Sequence, residues 1–473
     1  MTVQDSKLRG PFASRTARAV TASLLAATAM APAPAFAQGS LEQRLDKLEA
    51  MIMALEARMD AQDAAAPDPQ TAAAVSEMRA AAAETRVIAA RQQDIETRVA
   101  AVEVSDRSGF HVGDTQITIG GYAKMDAITA RTSAGQLGGD TFLRDFLVPS
   151  VVPVGGSGSG WDTDFSARQT RFHIKTATPV AGKTLSTTLE MDFMVTSGGD
   201  ERITNSYTPR LRHAFINYDG WTVGQTWGTF FNVGALPDTL DFIGTTPGTV
   251  FVRQPLVRYT TGSGLSIALE QPETTVTTAS GGRVTPGDDA LPDVVLRLDR
   301  KVGKSAFAIA AIGRQLKVSD DDFGLGSDSA LGYGVSVSGK IGIGERDDLR
   351  FMVNAGEGLG RYIGLNIVND AAIDPVTGNL DAIASYSGFA AYRHVWSDKV
   401  RSTVAGSYFK ADNPAALTST SPTDTVWNAL ANVIYTPVPK LDLGIEYMFV
   451  ERENEAGLDG NLQKVQVSAK YSF

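Results

Sequence analysis

The chain has 473 residues, a formal net charge of −10, 46 glycines and no cysteine. Without thiols there is neither a disulfide framework nor a thiolate metal site, and the acidic balance argues against a nucleic-acid partner. The length suggests two or three domains, though large barrels break that rule. No segment past the N-terminus offers the ~18 consecutive apolar residues of a membrane helix, so a membrane-spanning form of this chain is a closed barrel.

Met1 to Ala37 reads as a secretory signal. Lys7, Arg9, Arg15 and Arg18 form a basic start, Ala19 to Ala31 a short apolar core, and Ala35-Phe36-Ala37 a small-x-small cleavage site. The mature chain then begins at Gln38 and enters the periplasm of a Gram-negative cell. Residues 38–105 read as a periplasmic helical segment. Leu41, Leu45, Leu48, Ile52, Leu55 and Met59 alternate spacings of four and three, the signature of a coiled coil. Three heptads are marginal for one helix in water but workable in an oligomer, and the core residue types do not settle two strands against three. Two prolines between Ala64 and Pro69 break the run. A weaker heptad follows from Thr71 to Val104, with Met78, Ala81, Thr85, Ile88, Gln92, Ile95, Val99 and Val102, and an Ala-rich spacer is the alternative reading.

From Thr115 the period changes to two. The predicted strands are Thr115–Thr129, Asp164–Thr178, Lys183–Thr196, Thr208–Asp219, Trp221–Gly228, Gln254–Thr261, Gly264–Gln271 and Leu291–Arg300. Lys304–Val318, Ala330–Ile343, Asp347–Glu357, Ala384–Trp396, Lys399–Ala411, Thr425–Thr436, Lys440–Arg452 and Leu462–Phe473 complete sixteen. Most approach the ~9–11 residues that cross a bilayer at a tilt. The last alternates strictly, with Val465, Val467, Ala469, Tyr471 and Phe473 apolar and the residues between them polar. One face in lipid and one in water demands that pattern, and a Phe-terminated alternating strand resembles the closing strand of bacterial outer-membrane barrels. Short turns and long loops also alternate, seven of the first with eight of the second, which is the arithmetic of an all-β, 16-stranded antiparallel transmembrane barrel spanning 115–473. A soluble sandwich or β-helix has no reason for that alternation.

A barrel this wide leaves an aqueous lumen. Taking the residues opposite the apolar face, Gln169, Arg171, His173 and Lys175 point inward on the second strand. Arg258, Arg297, Arg314 and Arg350 do so on later ones. An inward face this rich in arginine suits carboxylate recognition and anion selection, although lumens of both signs are ordinary. The third long loop, Thr229 to Arg253, is too apolar for a solvated connection, with Phe230, Phe231, Leu236, Leu240, Phe242 and Ile243. It is expected to fold against the inner wall, placing Asp238 and Asp241 opposite the arginines across a constriction.

Several stretches resemble the DcaP-like trimeric outer-membrane porins. They are the coiled-coil leader, Gly120-Gly121-Tyr122-Ala123-Lys124-Met125-Asp126, Arg168-Gln169-Thr170-Arg171-Phe172, Gly224-Gln225-Thr226-Trp227, Thr239-Leu240-Asp241-Phe242, Phe251-Val252-Arg253-Gln254-Pro255 and Arg258-Tyr259. The resemblance covers nearly the whole mature chain. It implies a homotrimer in outer-membrane lipid, sixteen strands per subunit, a periplasmic coiled coil and uptake of small anionic solutes such as dicarboxylates. By the same analogy Arg171, Arg253 and Arg258 are the first eyelet residues. His173 departs from the smaller residue expected there, so the pore differs at that height.

Other chemistry is not indicated. His111, His173, His213 and His394 are scattered without metal-ligand spacing. The glycines of Gly155–Gly160 lack the strand–helix context of a nucleotide site, and no Ser/His/Asp set stands out. The expectation is a porin and not an enzyme, with no cofactor and no metal. An alternative from another class is an envelope-tethering protein that uses the coiled coil for cell-wall contact and the barrel as an anchor.

Overall fold

The computed structural model of the chain describes residues 109–137, 144–195 and 204–473. In the N-terminal unit it describes only Ala50, Met53, Ala54, Ala57, Ser76, Arg79, Ala80 and Ala83, all helical. The predicted signal peptide, the heptad core from Leu41 to Met59 and the core positions from Met78 to Val102 lie outside the described residues.

From Ser108 onward the chain is one unit, a closed antiparallel barrel of sixteen strands. In order these are Thr115–Thr132, Asp162–Ser166 continued by Arg171–Val180, Lys183–Asp192, Arg210–Tyr218, Trp221–Trp227, Arg253–Thr260, Leu265–Glu270 and Asp293–Val302. Then come Ser305–Val318, Asp328–Ile343, Asp347–Glu357, Ala384–Val395, Val400–Asp412, Thr423–Tyr435, Leu441–Asn454 and Asp459–Ser472. The last strand pairs with the first from Tyr122↔Ser472 to Thr132↔Leu462 and closes the cylinder. No barrel edge is left open to template aggregation.

Alternation builds the wall. On Asp328–Ile343, Leu331, Tyr333, Val335 and Val337 are exposed outward while Ser336 and Ser338 are buried inward. Most of the exposed aromatics gather at the two strand ends. Trp221, Tyr259, Trp396, Tyr435, Tyr471 and Phe473 sit toward the short turns, and Trp161, Phe165, Tyr333, Tyr386, Tyr408 and Trp427 toward the long loops. Amphipathic rings favour these two levels at a bilayer's interfaces. The wall is uneven in height: Leu265–Glu270 has 6 residues and Trp221–Trp227 has 7, against 16 for Asp328–Ile343.

Three features depart from the predicted elements. The second strand is not continuous. Residues 167–170 leave the ladder, where Arg168 turns to Asp145 at 2.9 Å and stacks over Tyr207 at 4.1 Å. The fourth strand carries a bulge, so its mixed faces reflect a change of register. The fourth and sixth long loops are not plain coil. They share a four-stranded sheet made of Val276–Thr277, Arg283–Val284, Ala371–Ile373 and Leu380–Ala382.

The third long loop lies inside the cylinder. Phe230, Phe231, Ala235, Val250 and Val252 pack into one core with wall residues such as Met352, Phe389, Leu430 and Met448. Apart from a bridge from Val250 to Ile363 of the sixth loop, most of its backbone is outside the ladders, so its polar groups need partners. The inward wall supplies them. Arg350 donates to the Leu236 carbonyl at 2.5 Å, Asn432 to that of Asp238 at 2.8 Å, Asn428 to that of Gly244 at 2.9 Å and Asn354 to that of Gly248 at 3.1 Å. The loop tip is held hardest. The Glu446 carboxylate accepts the N–H groups of Leu240 (2.8 Å) and Asp241 (3.0 Å), Lys124 Nζ donates to the Leu240 carbonyl at 2.7 Å, and Lys464 pairs with Asp241.

Candidate functional site

Two cavities lie against the third loop and share Phe242 and Phe251 in their linings. The first, of about 320 Å³, is bordered by Tyr122, Trp227 and charged residues of both signs. Lys124, Arg171, Arg212, Arg401 and Lys470 stand against Glu190, Asp238, Asp241 and Asp442. The second, of about 590 Å³, carries Arg210, Arg253 and Arg283 and no carboxylate among its lining residues, beside Phe146, Val148 and Val151 of the first long loop.

A bulge delivers two of these cations, Arg210 and Arg212. Along the ladder of Lys183–Asp192 with Arg210–Tyr218, Glu190 faces His213 and Met191 faces Leu211, so Arg212 is the extra residue. Two residues against one reorients a side chain. Here Arg210, Arg212 and His213 all approach the inward Glu190 and Asp192. Arg210 Nε lies 2.7 Å from Asp192, Arg212 Nη1 is 2.8 Å from Asp192 and Arg212 Nε is 2.7 Å from Glu190. Arg171 stands further off, at 3.6 Å from Glu190 and 3.7 Å from Asp192. His213 Nδ1 is 3.0 Å from Thr226 Oγ1. Three guanidiniums share these two carboxylates, and Arg253 stands near them outside ion-pair distance. Asp192 is completely buried and Arg212 is 2 % exposed, so the cluster is fixed in place.

Aromatic faces complete the hold. Trp227 faces Arg212 at 5.7 Å and Arg253 at 5.0 Å, Phe242 faces Arg210 at 5.9 Å and Arg212 at 5.5 Å, and Tyr122 faces Arg171 at 5.2 Å. Such contacts are worth roughly 0.5–2 kcal/mol each, more as water is excluded. The Gly120-Gly121 pair is explained beside them. A Cβ on Gly120 would overlap the His173 imidazole, and Gly121 takes φ of +152° with its missing Cβ against the Arg171 carbonyl.

The structure separates the residues singled out by sequence into groups. Arg171, Asp238 and Asp241 border the smaller cavity and Arg253 the larger. His173 and Lys175 face inward on the Arg171 strand but line neither cavity, and His173 is opposite Glu190. Arg258 is half-buried at the root of the third loop, 3.5 Å from Thr229 Oγ1. Arg297 and Arg350 face inward, yet they are engaged as braces. Arg297 is paired with Asp299 and donates to the Phe231 carbonyl at 2.6 Å, and Arg350 grips Asp348 and the Leu236 carbonyl. Arg314 lines neither cavity. Its side chain is fully buried, 2.7 Å from Asp370 and 3.4 Å from Asp293, where it joins the wall to the sheet of the fourth and sixth loops. The loop acids do not stand unpaired opposite the arginines. Arg401 holds Asp238 at 2.6 Å, and Lys464 holds Asp241. In the first long loop, burial pushes the Asp145 carboxyl up, against the hydrogen bond and charge of Arg168.

Arg210, Arg212 and Trp227 are site residues that strict alternation does not reveal, whereas Arg401 and Lys470 follow it as inward positions. One signal was available: straight alternation from Ile216 puts two arginines on the apolar face, an arrangement a bulge relieves.

A closed sixteen-stranded barrel with an inward third loop and charged cavities beside it defines an outer-membrane channel. The chain belongs to the DcaP outer membrane protein family, whose model matches residues 149–473. It is similar in fold to the crystal structure of the outer membrane channel DcaP of Acinetobacter baumannii, with 22% identity, 77% of this chain and 100% of that chain covered, and a TM-score of 0.64. Similarity also extends to a loop L8 deletion mutant of OmpT, an outer membrane protein of Vibrio cholerae (13% identity, 76% and 100% covered, TM-score 0.46). An anion-selective porin from Comamonas acidovorans matches at 9% identity, 76% and 100% covered and a TM-score of 0.45. No curated protein matches the chain. Outer-membrane barrels keep their turns short on the periplasmic side and their loops long outside.

Proposed function

We propose that the protein is a passive, anion-preferring porin that admits small hydrophilic acids, dicarboxylates among them, and works as a homotrimer. The observation that carries this reading is the charge excess on the wall beside the loop tip: Arg171, Arg210, Arg212 and Arg253 against Glu190 and Asp192. Two uncompensated charges each attract an anion ~6 Å away by about 3 kcal/mol at an effective dielectric constant of ~20. The larger cavity, with three arginines and no lining carboxylate, supports the same preference. Arg258 belongs to this path as a secondary contact. In this reading residues 1–37 are a signal peptide and 38–105 a periplasmic helical segment, with 115–473 the barrel.

The test is the reversal potential of purified protein in a planar bilayer under a salt gradient, repeated with an added dicarboxylate. Anion preference with block by the diacid is expected. Arg171→Ala and Arg253→Ala should each lower the anion-to-cation permeability ratio severalfold, and Arg258→Ala less. Cation preference in the unaltered protein would sink the reading.

A further inference from the structure

Most inward cations in this barrel are engaged by carboxylates. Arg401 is held by Asp238 and Asp442, Arg350 by Asp348, Arg297 by Asp299 and Lys464 by Asp241. Arg253 is different. Among the described residues its partner is the face of Trp227, 5.0 Å from the guanidinium carbon, and no carboxylate lies within ion-pair distance. The difference matters chemically. A carboxylate fixes a guanidinium but cancels its charge and occupies its N–H donors. A π face fixes it through the ring quadrupole, leaving the charge and the donor edges in place.

Trp227 is itself well held. Its ring packs on Phe231 at 5.0 Å, Phe251 at 4.8 Å and His213 at 5.5 Å, so third-loop residues wedge it against the wall. Its other guanidinium contact is Arg212, at 5.7 Å. One indole therefore contacts both an arginine bordering the smaller cavity and an arginine bordering the larger.

We propose that Trp227 is a selectivity-determining positioning residue: it holds Arg253 in the path of the solute without a neutralising acid, and so sustains the anion preference of the channel. This rests on the anion-preferring reading above. With an aliphatic side chain at 227, Arg253 loses its support and can turn toward the carboxylates already gathered around Arg210 and Arg212. Its charge is then lost to the lumen although no charged residue has been altered.

The experiment compares unaltered protein, Trp227→Leu and Trp227→Phe in planar bilayers, reading the permeability ratio from the reversal potential and the single-channel conductance alongside it. Trp227→Leu should lower the anion-to-cation ratio at least threefold with a much smaller change in conductance. Trp227→Phe, which keeps a π face, should stay within twofold of the unaltered ratio. A Trp227→Leu channel of unaltered ratio overturns the proposal, and so does a Trp227→Phe channel that falls as far as Trp227→Leu. Should Trp227→Leu not assemble, Trp227→Met, which keeps bulk at 227 without a π face, takes its place and must lower the ratio in the same direction. An unchanged ratio there overturns the proposal as well. Absence of anion preference in the unaltered protein defeats the function and this assignment together. Failure of the variants alone defeats only the assignment.

Discussion

An inward arginine has two fates in this barrel, and its neighbours decide between them. Arg314 shows the first. Its side chain is fully buried with Asp293 and Asp370, and it donates to the Gly358 carbonyl at 2.9 Å. Removing one member of a buried ion network strands the others and costs about 3–5 kcal/mol. Arg314→Met should accordingly lower the thermal unfolding midpoint by several degrees while the reversal potential stays at the unaltered value. A loss of anion preference in a folded Arg314→Met channel would count against its role as a brace. Arg171 shows the second fate, standing 3.6 Å and 3.7 Å from two carboxylates that already have closer arginine partners. Alternation along a strand tells which face a residue occupies and is silent about what waits there. That is why Arg171 and Arg314 look alike in the sequence and differ in the folded chain.

At the scale of an element, the third loop is what fills part of the cylinder and borders both of its charged cavities. It approaches the wall so closely at Gly248 that a Cβ there would overlap the Gly388 carbonyl and the Phe389 amide, both backbone groups that cannot swing aside. Gly248→Ala should push this limb of the loop inward or off its Asn354 hydrogen bond. The expected readout is an altered single-channel conductance with greater open-channel noise, from a barrel that still resists unfolding. Unaltered current would show that the wall yields instead. The loop's inward course was legible from its run of phenylalanines and leucines. Its anchors were not, because Asn354, Asn428, Asn432 and Glu446 read as ordinary polar positions of a lumen face until the loop backbone lies against them.

At the scale of the whole molecule, the barrel is closed by pairing its own first and last strands. From Tyr122↔Ser472 onward its closure uses only residues of the C-terminal unit. Deleting residues 38–104 behind an intact signal sequence should therefore leave heat-resistant barrels with unaltered conductance and reversal potential. A channel lost on deletion would give the helical segment a part in assembly. A detached envelope with unchanged permeability would instead favour the tethering role.

The number of strands, their alternating turn lengths and the burial of the third loop were determined by the sequence itself. Each follows from local rules: period-two patterning, turn composition, and the cost of leaving phenylalanines in water. The charge pattern of the path was decided only by tertiary structure. The bulge at Arg212 reverses a face, the break at residues 167–170 takes Arg168 to Asp145, and the third and sixth loops consume Arg297, Arg350 and Arg314. The four-stranded sheet joining the fourth and sixth loops pairs residues nearly a hundred positions apart, such as Val276 with Ala371. Pairings of that range depend on where the wall places two loops, and no window of sequence contains them.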